Sequence, residues 1–77
     1  MERILLSNTT TQQLHTSLIR RIEVEKLTAL SRSRIYALMG KGAFPKPITL
    51  GTMSVAWLEV EVRDWIASRI AASRKAV

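Results

Sequence analysis

Glycine and proline punctuate a short stretch in the middle of the chain and separate two kinds of structure. Gly40 and Gly42 are placed to end a helix, because glycine is common just past a helix C-terminus. Pro45 and Pro47 then exclude a helix, since each proline forces the residue before it towards an extended conformation. The chain before this stretch can therefore be helical, whereas the chain directly after it must begin in extended structure.

Two short helices are predicted upstream, with about three residues between them. Residues 18–21 are expected to be extended, and residues 22–28 form the first helix, with Val24 and Leu27 on one face. Ser31 is a suitable N-cap for the second helix. The core-facing stripe of that helix consists of Ile35, Leu38 and Met39. Two helices joined so closely form a helix-turn-helix unit.

A hairpin and a longer helix are predicted downstream. Residues 48–50 and 54–57 are the candidate strands, with residues 51–53 as their turn. The last helix carries one apolar stripe at helical spacing. That stripe consists of Leu58, Val62, Trp65, Ile66 and Ile70. The predicted fold class is therefore mainly α with a small β-hairpin wing, a winged helix-turn-helix, with Phe44, Trp57 and Trp65 as bulky core residues.

The 77 residues suffice for one small domain with polar ends. Residues 7–17 are mostly Ser, Thr, Gln and Asn, which bury too little apolar surface to offset the entropy of ordering. We expect a flexible N-terminal arm over residues 1–17, the winged domain over residues 18–73 and a C-terminal tail over residues 74–77.

The charge of the chain is strongly positive and unevenly placed. The net charge is +6, and no acidic residue lies between Lys26 and Leu58. A field of this sign attracts nucleic acid or an anionic membrane surface. Arg32 and Arg34 lie in the first turn of the second helix, where positive charge opposes the helix dipole. A bound phosphate would relieve that opposition, so the pattern favours nucleic acid over a merely basic, soluble protein.

Other classes of function lack support in the sequence. Without cysteine, neither disulfides nor thiolate metal sites are possible, and this fits a reducing cytoplasm. No apolar run approaches the roughly 20 residues that span a bilayer, and the N-terminus has no signal-peptide core. His15 stands alone in the polar arm, and no nucleophile has a histidine nearby in a structured motif. We therefore expect a cytoplasmic protein that is not an enzyme, with no cofactor, metal or small-molecule substrate.

The residues that we predict to contact DNA lie on the second helix, on the turn after it and on the wing. Serine hydroxyls bind phosphate, and arginine binds phosphate or the edge of guanine. The full set is Ser31, Arg32, Ser33, Arg34, Tyr36, Lys41, Lys46, Thr52 and Ser54. The alternatives are an ordinary capped helix with solvated charges, a core role for the Tyr36 ring, and solvated lysines.

Four motifs within residues 18–72 together resemble the AlpA family of small phage-related transcriptional regulators. The motifs are S-R-S-x-I-Y, G-x-F-P-K-P-I-x-L-G, S-V-A-W and E-V-x-x-W-I. The resemblance implies kinship with excisionases and MerR-like winged helices, a second helix that reads the major groove, and regulation of prophage genes or help in excision. One departure is Met53, because the family usually has a basic residue there. This change weakens an ionic wing contact but leaves an apolar wedge.

The interpretation that follows is a sequence-specific regulator or excision factor that binds double-stranded DNA and self-associates cooperatively on it. The sequence does not choose between these two roles. A second class is a protein-interaction module, resembling an anti-repressor, that uses the amphipathic C-terminal helix. An RNA-binding protein is a third, disfavoured without exposed aromatic platforms. Steep salt dependence of DNA binding would favour the first class.

Overall fold

The computed structural model describes residues 17–76 and confirms the winged helix-turn-helix fold. Residues 1–16, which hold His15 and nearly all of the predicted arm, and residue 77 lie outside the described residues. Along the described part of the chain the elements are β1 (Leu18–Ile19), α1 (Arg21–Thr28), α2 (Arg32–Gly40), β2 (Ile48–Gly51), β3 (Ser54–Leu58) and α3 (Glu59–Ala76).

The three strands form one antiparallel sheet with β3 in the centre. β1 pairs with the end of β3, so that Leu18 lies opposite Leu58 and Ile19 opposite Trp57. β2 pairs with the other edge of β3, and its register shifts between Thr49 and Gly51, next to the turn. The sheet therefore joins the wing to the start of the described chain. A hydrogen bond of 2.8 Å from the Glu59 backbone N–H to the carbonyl of Ser17 continues this connection.

The helix-turn-helix unit begins one residue earlier than predicted, and its second helix ends at Gly40, as predicted. α1 starts at Arg21, and Ala29 closes it in the left-handed conformation (φ 62°), donating its N–H to the Glu25 carbonyl. The predicted cap of α2 is confirmed, since Ser31 Oγ accepts a 3.1 Å hydrogen bond from the Arg34 N–H. Gly42 is the residue after α2 that takes a positive φ, 72°.

Two residues of the predicted apolar stripe on the last helix are placed differently. Leu58 is the last residue of β3 rather than part of α3. Ile70 is 46% exposed, and the described residues from 67 to 75 are all exposed. The reason is length: the 18 residues of α3 extend about 27 Å, beyond the surface that the small domain offers. The helix also continues to Ala76, through most of the predicted tail.

One buried cluster joins every helix to the sheet. It consists of Val24, Ile35, Phe44, Trp57 and Val62, and all of these except Phe44 are wholly buried. Leu38, Met39, Trp65 and Ile66 pack against it. The predicted core positions of Phe44 and both tryptophans are thus confirmed, as is the inward face of α2.

The segment of residues 43–45, between α2 and the wing, is held by both tryptophans. Trp57 Nε1 donates to the Pro45 carbonyl at 3.1 Å, and Trp65 Nε1 donates to the Ala43 carbonyl at 2.8 Å. Phe44 is the residue between these two carbonyl groups, and its ring centre lies 4.8 Å from that of Trp65 with an interplanar angle of 65°. These contacts fix where the wing lies relative to α2.

Candidate nucleic-acid interface

The first turn of α2 presents a polar, positively charged surface. All four residues from Ser31 to Arg34 are exposed, and Ile35 directly after them is buried. The first turn contains no acidic residue. Because Ser31 Oγ accepts the capping bond, its hydroxyl proton is left to donate to a ligand. Ser31 thus caps the helix, and the side chains of Arg32, Ser33 and Arg34 after it are exposed to solvent.

The arginines of α2 have no carboxylate partner within residues 17–76, unlike Arg21 and Arg63. The ion pairs in that part of the chain join Arg21 to Glu25 and Arg63 to Glu59, each within one helical turn. Arg32 and Arg34 take part in neither pair. Their charge is left uncompensated at the positive end of a helix dipole, which is where an anion is stabilised.

Tyr36 lies on the exposed surface of α2 rather than in the core. Its side chain is 41% exposed, and the guanidinium carbon of Arg32 lies 5.8 Å from the centre of its ring. A contact between residues one helical turn apart places both on the same face. Arg32 and Tyr36 therefore share one exposed face of α2, and the Tyr36 side chain is not part of the buried core.

Lys41 and Lys46 are exposed and lie beyond the C-terminal end of α2. Because the nine residues of α2 extend about 13 Å, Lys41 lies at the end of the helix opposite to Arg32 and Arg34. Lys46 also lines a shallow groove that contains Glu61 and Asp64 of α3. Its positive field is opposed by those carboxylates, in contrast to the field of Arg32 and Arg34.

The predicted wing is formed by β2, β3 and their turn. Thr52 is exposed, Ser54 is half-buried, and Met53 at the tip is 98% exposed. Met53 has a φ of 56°, a left-handed backbone conformation that residues other than glycine and asparagine rarely adopt. The tip of the wing therefore projects an apolar side chain, flanked by two hydroxyl residues.

Arg20 is a residue at the wing that sequence reasoning missed. Its Nη1 donates to Ser54 Oγ at 3.2 Å and to the Val55 carbonyl at 3.0 Å. In the sequence Arg20 precedes a helix and lies 34 residues from Ser54. No local pattern links the two residues, and only the pairing of β1 with β3 brings them together.

Residues 17–76 contain neither a candidate metal site nor a candidate membrane-spanning helix. That part of the chain contains no group of three or more His, Asp or Glu side chains able to hold a metal ion. None of its helices is both long and apolar enough to cross a membrane.

A helix-turn-helix with a β-hairpin wing places the protein in the winged-helix class. A sequence model of the family described as "Prophage CP4-57 regulatory protein (AlpA)" matches residues 17–70. The chain belongs to this family of prophage regulatory proteins, as the four motifs predict.

The chain is also similar to a phage protein. It is 51% identical over 53 residues to "Uncharacterized protein ORF88" of Enterobacteria phage P4. The match covers 69% of this chain and 60% of that protein, so the chain spans about three fifths of the length of this relative.

Proposed function

We propose that this protein is a sequence-specific DNA-binding transcriptional regulator of prophage genes that inserts α2 into the major groove. The observation that carries the proposal is the first turn of α2, where Arg32 and Arg34 are exposed and lack a carboxylate partner within residues 17–76. Membership of a prophage regulatory family supports the regulatory role.

The dimensions and chemistry of α2 suit a DNA groove. The major groove is about 12 Å wide and admits an α-helix. In this position Ser31 and Ser33 donate to phosphate, and the two arginines either hold phosphate or bind the O6 and N7 acceptors of guanine. Tyr36 adds a phosphate contact beside Arg32.

The wing and the lysines supply contacts outside the groove. Thr52 and Ser54 lie beside the tip of the wing, where their hydroxyls can reach the sugar-phosphate backbone. Lys41 and Lys46 add phosphate contacts at the other end of α2, those of Lys46 weakened by its acidic neighbours. These contacts position the protein, whereas base contacts from α2 select the site.

A role in excision requires the same interface. An excision factor also binds a specific site, and it bends that site through neighbouring copies that bind cooperatively. The regulatory description of the family favours control of transcription as the main role, with help in excision as its extension.

Replacement of the arginines of α2 tests the proposal. We expect Arg32→Ala and Arg34→Ala each to weaken binding to a duplex selected from a random pool by about 1–3 kcal/mol. Arg63→Ala is the matched control, because it removes the same charge from an exposed helix position where a carboxylate already pairs with it. Unchanged melting temperatures would show that the losses arise at the interface. Wild-type affinity in both α2 variants would remove α2 from the interface and refute the proposal.

A protein-interaction module remains the second candidate because part of the α3 stripe is available. Ile70 is 46% exposed, while Val62, Trp65 and Ile66 belong to the core or pack against it. This alternative predicts no duplex binding beyond the weak, non-specific attraction of any basic protein, whereas a DNA-binding protein binds a selected duplex tightly and loses that affinity steeply as salt rises.

A further inference from the structure

We propose that Arg20 is a phosphate contact of the wing: its guanidinium supplies the positive charge that the tip of the wing lacks, and Ser54 beside it supplies a hydroxyl donor. The ligand is a phosphodiester group of duplex DNA. This inference rests on the proposed DNA-binding function and assigns to it the residue between β1 and α1.

The sheet carries Arg20 to the wing. β1 runs antiparallel to β3, and Ile19 lies opposite Trp57. The chain that leaves Ile19 therefore runs towards the beginning of β3, which is the end nearest the turn of the wing. From there the Arg20 side chain reaches Ser54 and Val55, the first two residues of that strand.

The guanidinium of Arg20 is held in place and keeps donors for a ligand. Of the five N–H donors in an arginine side chain, Nη1 carries two, and both of these face β3. The N–H of Nε and the two of Nη2 make no hydrogen bond to residues 17–76, where no carboxylate pairs with Arg20. A guanidinium that is already oriented loses less entropy when it binds a phosphate, and its planar fork fits the two phosphate oxygens.

Ser54 completes the site. Its Oγ accepts from Arg20 Nη1, so its own hydroxyl proton is directed elsewhere and can be donated to a phosphate oxygen. Met53, next to it, is apolar and 98% exposed, so it contributes no charge to the wing. The hydroxyl and the guanidinium together form a charged hydrogen-bonding pair from segments 34 residues apart.

The salt dependence of DNA binding tests this role without knowledge of the target sequence. The probe is a fluorescently labelled duplex of mixed sequence, titrated with the full chain at a series of NaCl concentrations. Each phosphate contact contributes about 0.9 to the slope of log affinity against log salt. We expect Arg20→Gln to reduce the slope by about 0.9 and Arg20→Lys to retain it, because lysine keeps the charge but not the fork.

Arg21→Gln is the matched control. It removes the same charge one residue away, from a guanidinium that is paired with Glu25. We expect its slope to equal that of the wild type. A lower slope in Arg20→Gln but not in Arg21→Gln would support a local contact rather than a general loss of charge.

Three outcomes would count against these proposals. A wild-type slope in Arg20→Gln overturns the role of Arg20 and leaves the proposed function standing. Equal decreases of the slope in Arg20→Gln and Arg21→Gln also overturn it, because a general loss of charge would then explain the effect. A wild-type protein with no salt-dependent DNA binding refutes the proposed function itself.

A second measurement needs no substitution, so it holds even if a variant fails to fold. In the wild-type protein, addition of the duplex should shift the side-chain Nε–H resonance of Arg20 and leave that of Arg21 in place. An Arg20 resonance that does not respond to saturating duplex overturns the proposal.

Discussion

Replacing Trp65 tests whether α3 is a structural element of the winged domain. The Trp65 side chain packs against the buried cluster, and its ring lies edge-on to that of Phe44 at 4.8 Å. Its Nε1 donates to the Ala43 carbonyl at 2.8 Å. Trp65→Ala removes all three interactions at once, and so it should destabilise the whole fold.

The size of the effect follows from these contacts. Loss of the hydrogen bond costs about 1 kcal/mol, and loss of the aromatic pair about 0.5–1.5 kcal/mol. Lost burial and the residual cavity bring typical Trp→Ala changes to about 3–5 kcal/mol. Because Trp65 is only half-buried, we expect a value near the lower limit, about 3 kcal/mol. A domain of this size has a free energy of unfolding of roughly 3–9 kcal/mol, so much of the stability would be lost.

Trp65→Phe separates the hydrogen bond from the packing. Phenylalanine keeps an aromatic ring beside Phe44 but leaves the Ala43 carbonyl without its donor, at a cost of about 1 kcal/mol. In a small domain each kcal/mol lowers the melting temperature by about 4–8 °C. We therefore expect decreases of about 4–8 °C for Trp65→Phe and about 12–24 °C for Trp65→Ala.

Thermal melting followed by far-UV circular dichroism measures both variants. Duplex affinity is then measured at a temperature at which each variant is folded, and there it should be close to that of the wild type. A cooperative Trp65→Ala transition within a few degrees of the wild type would refute the structural role of α3. The helix would then be a surface for a partner, as the protein-interaction alternative requires.

Two further predictions concern Ala29 and Met53, the two residues other than glycine that have a positive φ within residues 17–76. Ala29→Gly should raise the melting temperature by a few degrees, because glycine adopts the φ of 62° at the end of α1 without steric cost. Its control, Ala37→Gly within α2, should lower stability by about 1 kcal/mol, and equal effects would refute the assignment of strain to Ala29. Met53→Lys should increase the salt slope of DNA binding by about 0.9, since the tip of the wing is 98% exposed. An unchanged slope in Met53→Lys would show that the tip does not approach DNA.

Local chemistry predicted most of the elements. Ser31 caps α2 because a hydroxyl placed before a helix satisfies a free N–H, a relation that spans only three residues. Periodicity identified Val24, Ile35 and Val62 as inward-facing, because the turn of a helix is the same in every fold. The prediction that Arg32 and Arg34 contact DNA likewise follows from their place in a first turn, and it stays a prediction until binding is measured.

Contacts between distant segments could be known only from the folded chain. The apolar stripe indicated which face of α3 turns inward but not where its partner surface ends, and for this reason Ile70 was misplaced. The two-residue strand β1 is too short to show alternation, so its pairing with β3 depends on the core that brings them together. The Arg20–Ser54 contact has the same origin. A sequence pattern records the preferences of neighbouring residues, whereas the position of one element on another depends on how all of their side chains fill a common interior.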